Sequence, residues 1–245
     1  GTFCVSAHGF STVEVALALR ELLEAHGFHA ATEFGDNPAP RDIMIVPNGG
    51  TGFFYGKGHA AGATRKLVEW LQQSDFAGVI FSREGLPGTF RLDAAAIATK
   101  DAPDVVMAFR WNGAKNQFGA PGMIAADGQR KAGAGTHATL SRFDMHNTLI
   151  AAGPDFRRGA VDDLPTGNVD LAPTILEILG IKPPPMDGRV LAEAMLSRPT
   201  PGKSRTEKLE ASREFTSASW RQHLKISRVG QTIYFDEGNG ALVPK

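Results

Sequence analysis

Residues 104–111 read DVVMAFRW. A strand with one wet face alternates apolar with polar residues. This run is apolar almost throughout and too short for a helix, so it reads as a strand buried on both faces. Residues 78–82 (GVIFS) and 2–6 (TFCVS) have the same character. Residues 42–47 (DIMIVP) read as another short strand, after which glycines at 49, 50 and 52 turn the chain toward Phe53, Phe54 and Tyr55.

Between these runs the period changes to that of a helix. Ser11 and Glu14 make an S-x-x-E capping box ahead of residues 13–25, where Val13, Ala16, Leu17, Leu19, Leu22 and Leu23 form one apolar stripe. Gly27 supplies the stop. Residues 61–73 carry Leu67, Val68, Trp70 and Leu71 on a second helix. Residues 170–179 predict a third, with Pro173 in its first turn, Gly180 at its end and Pro183, Pro184 and Pro185 beyond. Strands alternating with helices predict an α/β sandwich with a mainly parallel sheet. Residues 111–141 lack periodicity and read as one long irregular loop, the kind that carries function, ending at a strand over 147–152. Residues 207–223 read as helical, and residues 225–229 and 231–235 as a closing hairpin about Gly230.

Composition excludes several classes. Basic and acidic side chains number 26 each, so no bulk field points to a nucleic-acid polymer or an acidic membrane. Apolar runs fall short of the roughly 18 residues that span a bilayer, so no transmembrane segment is expected. Cys4 is the only cysteine, which rules out an intramolecular disulfide and a thiolate zinc cluster. With 28 glycines and 15 prolines, loops are expected to be long and shaped. The chain opens at Gly1 directly on a core strand, which leads us to expect a cut left edge.

Two motifs fail on inspection. Residues 51–58 (TGFFYGKG) approach a phosphate-binding P-loop, but Thr51 stands at the first Gly and Gly58 at the Ser/Thr, so a glycine-rich turn is the better reading. No G-x-G-x-x-G follows a strand, so a dinucleotide fold is not expected. Ser82-Arg83-Glu84 reads as a solvated strand end rather than a nucleophile. Among the seven histidines, His26 and His29 flank a helix end, and His59 and His223 sit among polar residues. His8 follows a core strand, where α/β folds place ligands. His137 closes the long loop after Gly133-Ala134-Gly135-Thr136, whose glycines let backbone pass close to a bound group. Two imidazoles from distant loops make a candidate metal pair.

The run CVSAHGFSTV (4–13) resembles the strand-plus-Ser-Asp-His-Gly element of the alkaline phosphatase superfamily. Residues 135–156 (GTHATLSRFDMHNTLIAAGPDF) resemble the late metal-ligand segment of its type I phosphodiesterase / nucleotide pyrophosphatase branch. Residues 167–181 (GNVDLAPTILEILGI) with 186–191 (MDGRVL) are similar to the helix that follows. The segments stand in family order over almost the whole chain.

That resemblance implies a three-layer α/β/α sandwich, of which residues 1–245 would be the C-terminal part of one catalytic domain truncated at its N-terminus. It implies two Zn2+ ions, a small-molecule phosphate ester as substrate, and attack by a Thr or Ser alkoxide on a phosphodiester or pyrophosphate bond. The family is commonly exported. His8 matches the His of the Asp-His pair on one metal, and His137 the late His ligand of the other. Ala7 stands where the family has Asp, and a methyl group cannot ligate zinc. The family's nucleophile and its first acidic ligands match nothing here, so the chain alone is expected to be inactive. A sulfatase or phosphonate hydrolase of the same superfamily, or a binding domain that has lost a metal ligand, is the alternative. His146 is expected in the core or behind the ligands, Asp144 beside an imidazole, and Asp170 and Asp187 in capping and turn roles.

Overall fold

The computed structural model describes residues 1–36, 38–39, 42–128, 130–196, 198–199 and 202–245. The chain begins with β1 (Thr2–Val5), β2 (Ser11–Leu17), α1 (Leu19–Ala25), β3 (His29–Ala31), β4 (Asp42–Asn48), β5 (Thr51–Gly56) and α2 (Ala61–Gln72). It continues through β6 (Ala77–Ser82), β7 (Phe90–Arg91), β8 (Val105–Phe109), β9 (Trp111–Lys115), β10 (Pro121–Asp127), β11 (Gly135–Thr136) and α3 (Arg142–Met145). It closes with β12 (Leu149–Ala152), α4 (Leu171–Ile178), β13 (Arg205–Glu214), β14 (Ala218–Val229) and β15 (Thr232–Pro244).

The expected three-layer α/β/α sandwich with a mainly parallel sheet is not what forms. Strands take 40% of the chain and helices 18%, in several small mixed or antiparallel sheets. The largest runs β3-β4-β5-β8-β6-β7; the others are β11-β2-β10-β9, β13-β14-β15 and β1-β12. Among the described residues, parallel pairing is confined to β2 with β10, β3 with β4 and β6 with β7. Tight turns account for much of the antiparallel order, because a short hairpin returns the chain antiparallel. β4 and β5 are joined at Gly49, in left-handed backbone (φ 59°), and β14 and β15 at Gly230 (φ 61°).

Three stretches read otherwise from sequence are strands. Residues 11–17 pair with β10 and β11 instead of opening a helix, and only Leu19–Ala25 is helical. Residues 111–127 of the expected loop hold β9 and β10. Residues 207–223 hold the end of β13, which alternates half-buried with exposed positions and pairs over its full length with β14, and the start of β14 itself. The helix over Ala61–Gln72 and two of the buried strands are as expected, β6 and β8 being buried at every position. β1, expected as a core strand, instead alternates exposed with half-buried positions in a two-stranded sheet with β12.

Alternation on β6 and β8 divides the core. Ile80, Val105 and Met107 face α1 and α2, packing with Leu19, Leu23, Leu67, Val68 and Leu71. Val79, Phe81, Val106 and Ala108 face the opposite way, against Leu224 and Ile226 of β14. Each such buried aliphatic contributes about 1.5–3 kcal/mol relative to exposure. Among the described residues no helix is long and apolar enough to cross a membrane.

Candidate functional site

His8 lies in the turn between β1 and β2 and His137 follows β11, whose Thr136 pairs with Ser11 of β2, so this antiparallel pair brings the two imidazoles together. Their rings stack, with centroids 3.7 Å apart and planes 14° from parallel. Phe10 packs against both, at 5.1 Å from His8 and 5.6 Å from His137. Both histidines are half-buried. Nδ1 of His8 lies 2.7 Å from the Gly9 carbonyl oxygen, which can only accept. In the neutral ring Nδ1 therefore carries the hydrogen and Nε2 the free lone pair, the arrangement that orients a histidine toward a metal.

Asp144 holds the two loops in register. It is buried, and its carboxylate accepts hydrogen bonds from Ser11 Oγ (2.5 Å), Thr139 N (3.0 Å) and Thr139 Oγ1. Its main-chain oxygen accepts from Gly9 N at 2.8 Å. Gly9 and Ser11 flank His8's loop and Thr139 lies two residues past His137, so one side chain spans both. Contrary to expectation, Asp144 acts on the backbone that carries the imidazoles and not on an imidazole itself. Ser11, read as a helix cap, is the other half of this link.

A second clasp comes from the β4–β5 turn. Gly50 N donates to the His137 carbonyl at 2.8 Å, and Thr51 Oγ1 donates to the Ala138 carbonyl. A Cβ at Gly50 would stand 2.7 Å from that His137 oxygen and 2.4 Å from Thr139 Cγ2, so only glycine allows the approach. Ala138 sits in left-handed backbone at φ 75°, a conformation that costs a non-glycine residue of order 1 kcal/mol and clusters at functional sites. Sequence reading had the glycines but not their target; a turn at residues 49–52 richer in glycine than a hairpin needs was the available signal.

Other expected residues lie elsewhere. His146 is exposed, with Nε2 4.0 Å from Asp236 Oδ1, so it supports neither the pair nor the core. Ser82 is fully buried, not solvated: it shares a hydrogen bond with Thr89 Oγ1 at 2.7 Å and accepts from Leu86 N at 2.8 Å. Asp170 accepts from Gly167 N at 2.9 Å ahead of α4, as a cap does. His59 sits in left-handed backbone (φ 57°), Nδ1 2.7 Å from Asp104 Oδ1.

Two imidazoles are half of a tetrahedral zinc shell. Among the described residues no group of three or more His, Cys, Asp or Glu is placed to hold a metal ion, and Ala7 offers none beside His8. The fold brings two imidazoles together; the donor set does not complete a metal site. No protein-family model, curated protein or solved structure matches the chain.

Proposed function

We propose that this chain supplies two imidazole ligands to the two-zinc centre of a phosphodiesterase or nucleotide pyrophosphatase resembling those of the alkaline phosphatase superfamily. One observation carries the reading: the fold brings His8 and His137 from two separate loops to ring centroids 3.7 Å apart, so two imidazole donors stand in one place. The clasps on both loops support it, because a structural histidine pair has no need of a buried carboxylate and a left-handed alanine to fix it. The proposal rests on the site and on the sequence resemblance; the sheet topology does not speak for it. The remaining ligands and the nucleophile have to come from residues other than those described.

Ala7 favours a second reading, a binding domain that has lost a ligand. One experiment separates them. In the full-length gene product, zinc content and hydrolysis of bis(4-nitrophenyl) phosphate are compared for the natural protein and Ala7→Asp. If position 7 faces the metals, Ala7→Asp raises zinc occupancy toward two ions and raises the rate at least tenfold. Equal zinc and equal rates remove position 7 from the site. Absence of zinc and of hydrolysis in both proteins leaves the binding domain.

A further inference from the structure

A cavity of about 530 Å3 opens one residue from His8, with Ala7 in its wall. That size holds a drug-sized organic group. Its apolar lining includes Met145, Val169, Ile233 and Phe235, on three different segments. Tyr234 also lines it, but the hydroxyl is committed to Asp170 Oδ2 at 2.9 Å, so the residue offers ring surface. The rim near His8 is fixed by amides: Asn168 Nδ2 donates to the Ala7 carbonyl at 3.0 Å, and Asn147 Nδ2 donates to Asn168 Oδ1 at 3.1 Å.

Charge decides what fits. The cavity's charged lining residues are Asp93 and Asp187, and among the described residues no Lys, Arg or His lines it. Asp93 is paired with Arg91 Nε at 3.0 Å. An anionic group entering here meets the Asp187 carboxylate and no cation of the described lining, and a phosphate chain would exchange water for repulsion. An uncharged aryl or alkyl group exchanges water for apolar wall.

We infer that this cavity receives the alcohol side of the ester and selects an uncharged, apolar alcohol over one that carries further phosphate. The inference rests on the proposed function and sharpens it: the bond cleaved is a phosphodiester to a neutral alcohol, not a pyrophosphate link.

The test uses the chain with labelled methyl groups, without metal, titrated with two probes of one shape, 2-phenylethanol and phenylacetate. 2-Phenylethanol is expected to shift the methyl signals of Met145, Val169 and Ile233, with phenylacetate at least tenfold weaker. Val169→Trp, at a position half exposed, fills the cavity and abolishes the shifts; Ile233→Trp is the second filling variant should the first not fold. Asp187→Asn raises the affinity for phenylacetate about fivefold, as removal of one nearby like charge should. Equal or tighter binding of phenylacetate, or shifts that survive both filling variants, overturns the inference. Cobalt(II) added to the same sample keeps the two proposals apart. If it broadens the ring signals of His8 and His137 while 2-phenylethanol moves no methyl, the metal reading stands and the alcohol pocket falls. Methyl shifts without broadening leave a cavity that binds neutral groups and overturn the ester reading together with the metal reading on which it rests.

Discussion

Two polar clusters in this molecule are built on opposite plans. At the first, Asp170 is fully buried and its carboxylate accepts three hydrogen bonds, from Gly167 N (2.9 Å), Arg189 N (2.8 Å) and Tyr234 OH (2.9 Å). Arg189 in turn donates to Tyr234 OH at 3.0 Å, to both Glu193 oxygens at 2.8 and 2.5 Å, and to the Pro165 carbonyl at 3.0 Å. Burial pushes the Glu193 carboxyl up, but Arg189's hydrogen bonds and charge outweigh it and hold the group below the ordinary carboxylate value. At the second cluster, His8 and His137 are half-buried and His8 keeps a ring nitrogen unspent, while the loops behind them are clamped. A satisfied network fastens the segment bearing α4 to β15. A clamped pair with spare lone pairs is arranged for something outside itself.

The largest effect expected lies at the first cluster. Asp170→Ala strands the Tyr234 hydroxyl and two main-chain N–H groups, and should cost about 3–5 kcal/mol in urea unfolding. Asp170→Asn keeps the shape but offers a donor to donors, and should cost about 2–3 kcal/mol. A loss below about 1 kcal/mol for both would mean that the network is incidental to the fold, and the contrast between the clusters would collapse.

Asp144 comes next, because it belongs to both plans: buried and fully bonded, yet placed to serve the imidazoles. Asp144→Ala should cost about 2–3 kcal/mol and also release the loops, abolishing the ring-to-ring contact between His8 and His137 seen by proton NMR. Loss of stability with the contact intact would make Asp144 a core residue only.

These residues show how far the sequence could be read. Apolar runs such as GVIFS and DVVMAFRW carry their state in composition alone, and Gly27, Gly180 and Gly230 mark real turns, at φ 79°, 66° and 61°. The helix expected over residues 13–25 failed where Val13, Val15 and Leu17 also satisfy a period of two. The deciding fact there, a parallel partner at 123–127, lies over a hundred residues away. β13 was hidden for the same reason, since Leu209, Ala211 and Arg213 take their alternation from β14. At the site, the two histidines were legible because residue type implies chemistry. Their stacking, and the Ser11–Asp144–Thr139 link, were not, because each joins segments that only tertiary pairing brings together. Parallel order failed most broadly: strand identity is local, and strand direction is set by connections.

A smaller effect should distinguish the clusters by pH. Burial, and then the adjacent Asp170 charge, push the Tyr234 hydroxyl well above its ordinary 10.0. The unfolded chain loses this proton above pH 10 while the folded chain keeps it, so folded protein binds more protons there and stability falls as pH rises. Tyr234→Phe should cost about 1 kcal/mol at neutral pH and flatten that alkaline decline. Phenolate absorbance, taken as the difference between the natural protein and Tyr234→Phe, should show the Tyr234 hydroxyl keeping its proton until unfolding. Loss of the Tyr234 proton from folded protein at the ordinary 10.0 would detach it from Asp170.

The smallest effect on stability is expected at the second cluster, and this is where the comparison is sharpest. His8→Ala and His137→Ala each remove a half-buried ring whose visible interactions are one stack, one contact with Phe10 and, for His8, one local hydrogen bond. Such aromatic contacts are worth about 0.5–1 kcal/mol, against several for Asp170. The same substitutions should weaken binding of zinc or cobalt(II) at least tenfold, because each removes one of the two imidazole donors. A pair kept for folding would behave in the opposite way, losing stability with metal binding unmoved. Calorimetric metal titration beside urea unfolding on the same two variants reads both quantities, and only a large change in the first with a small one in the second fits a pair arranged for a ligand.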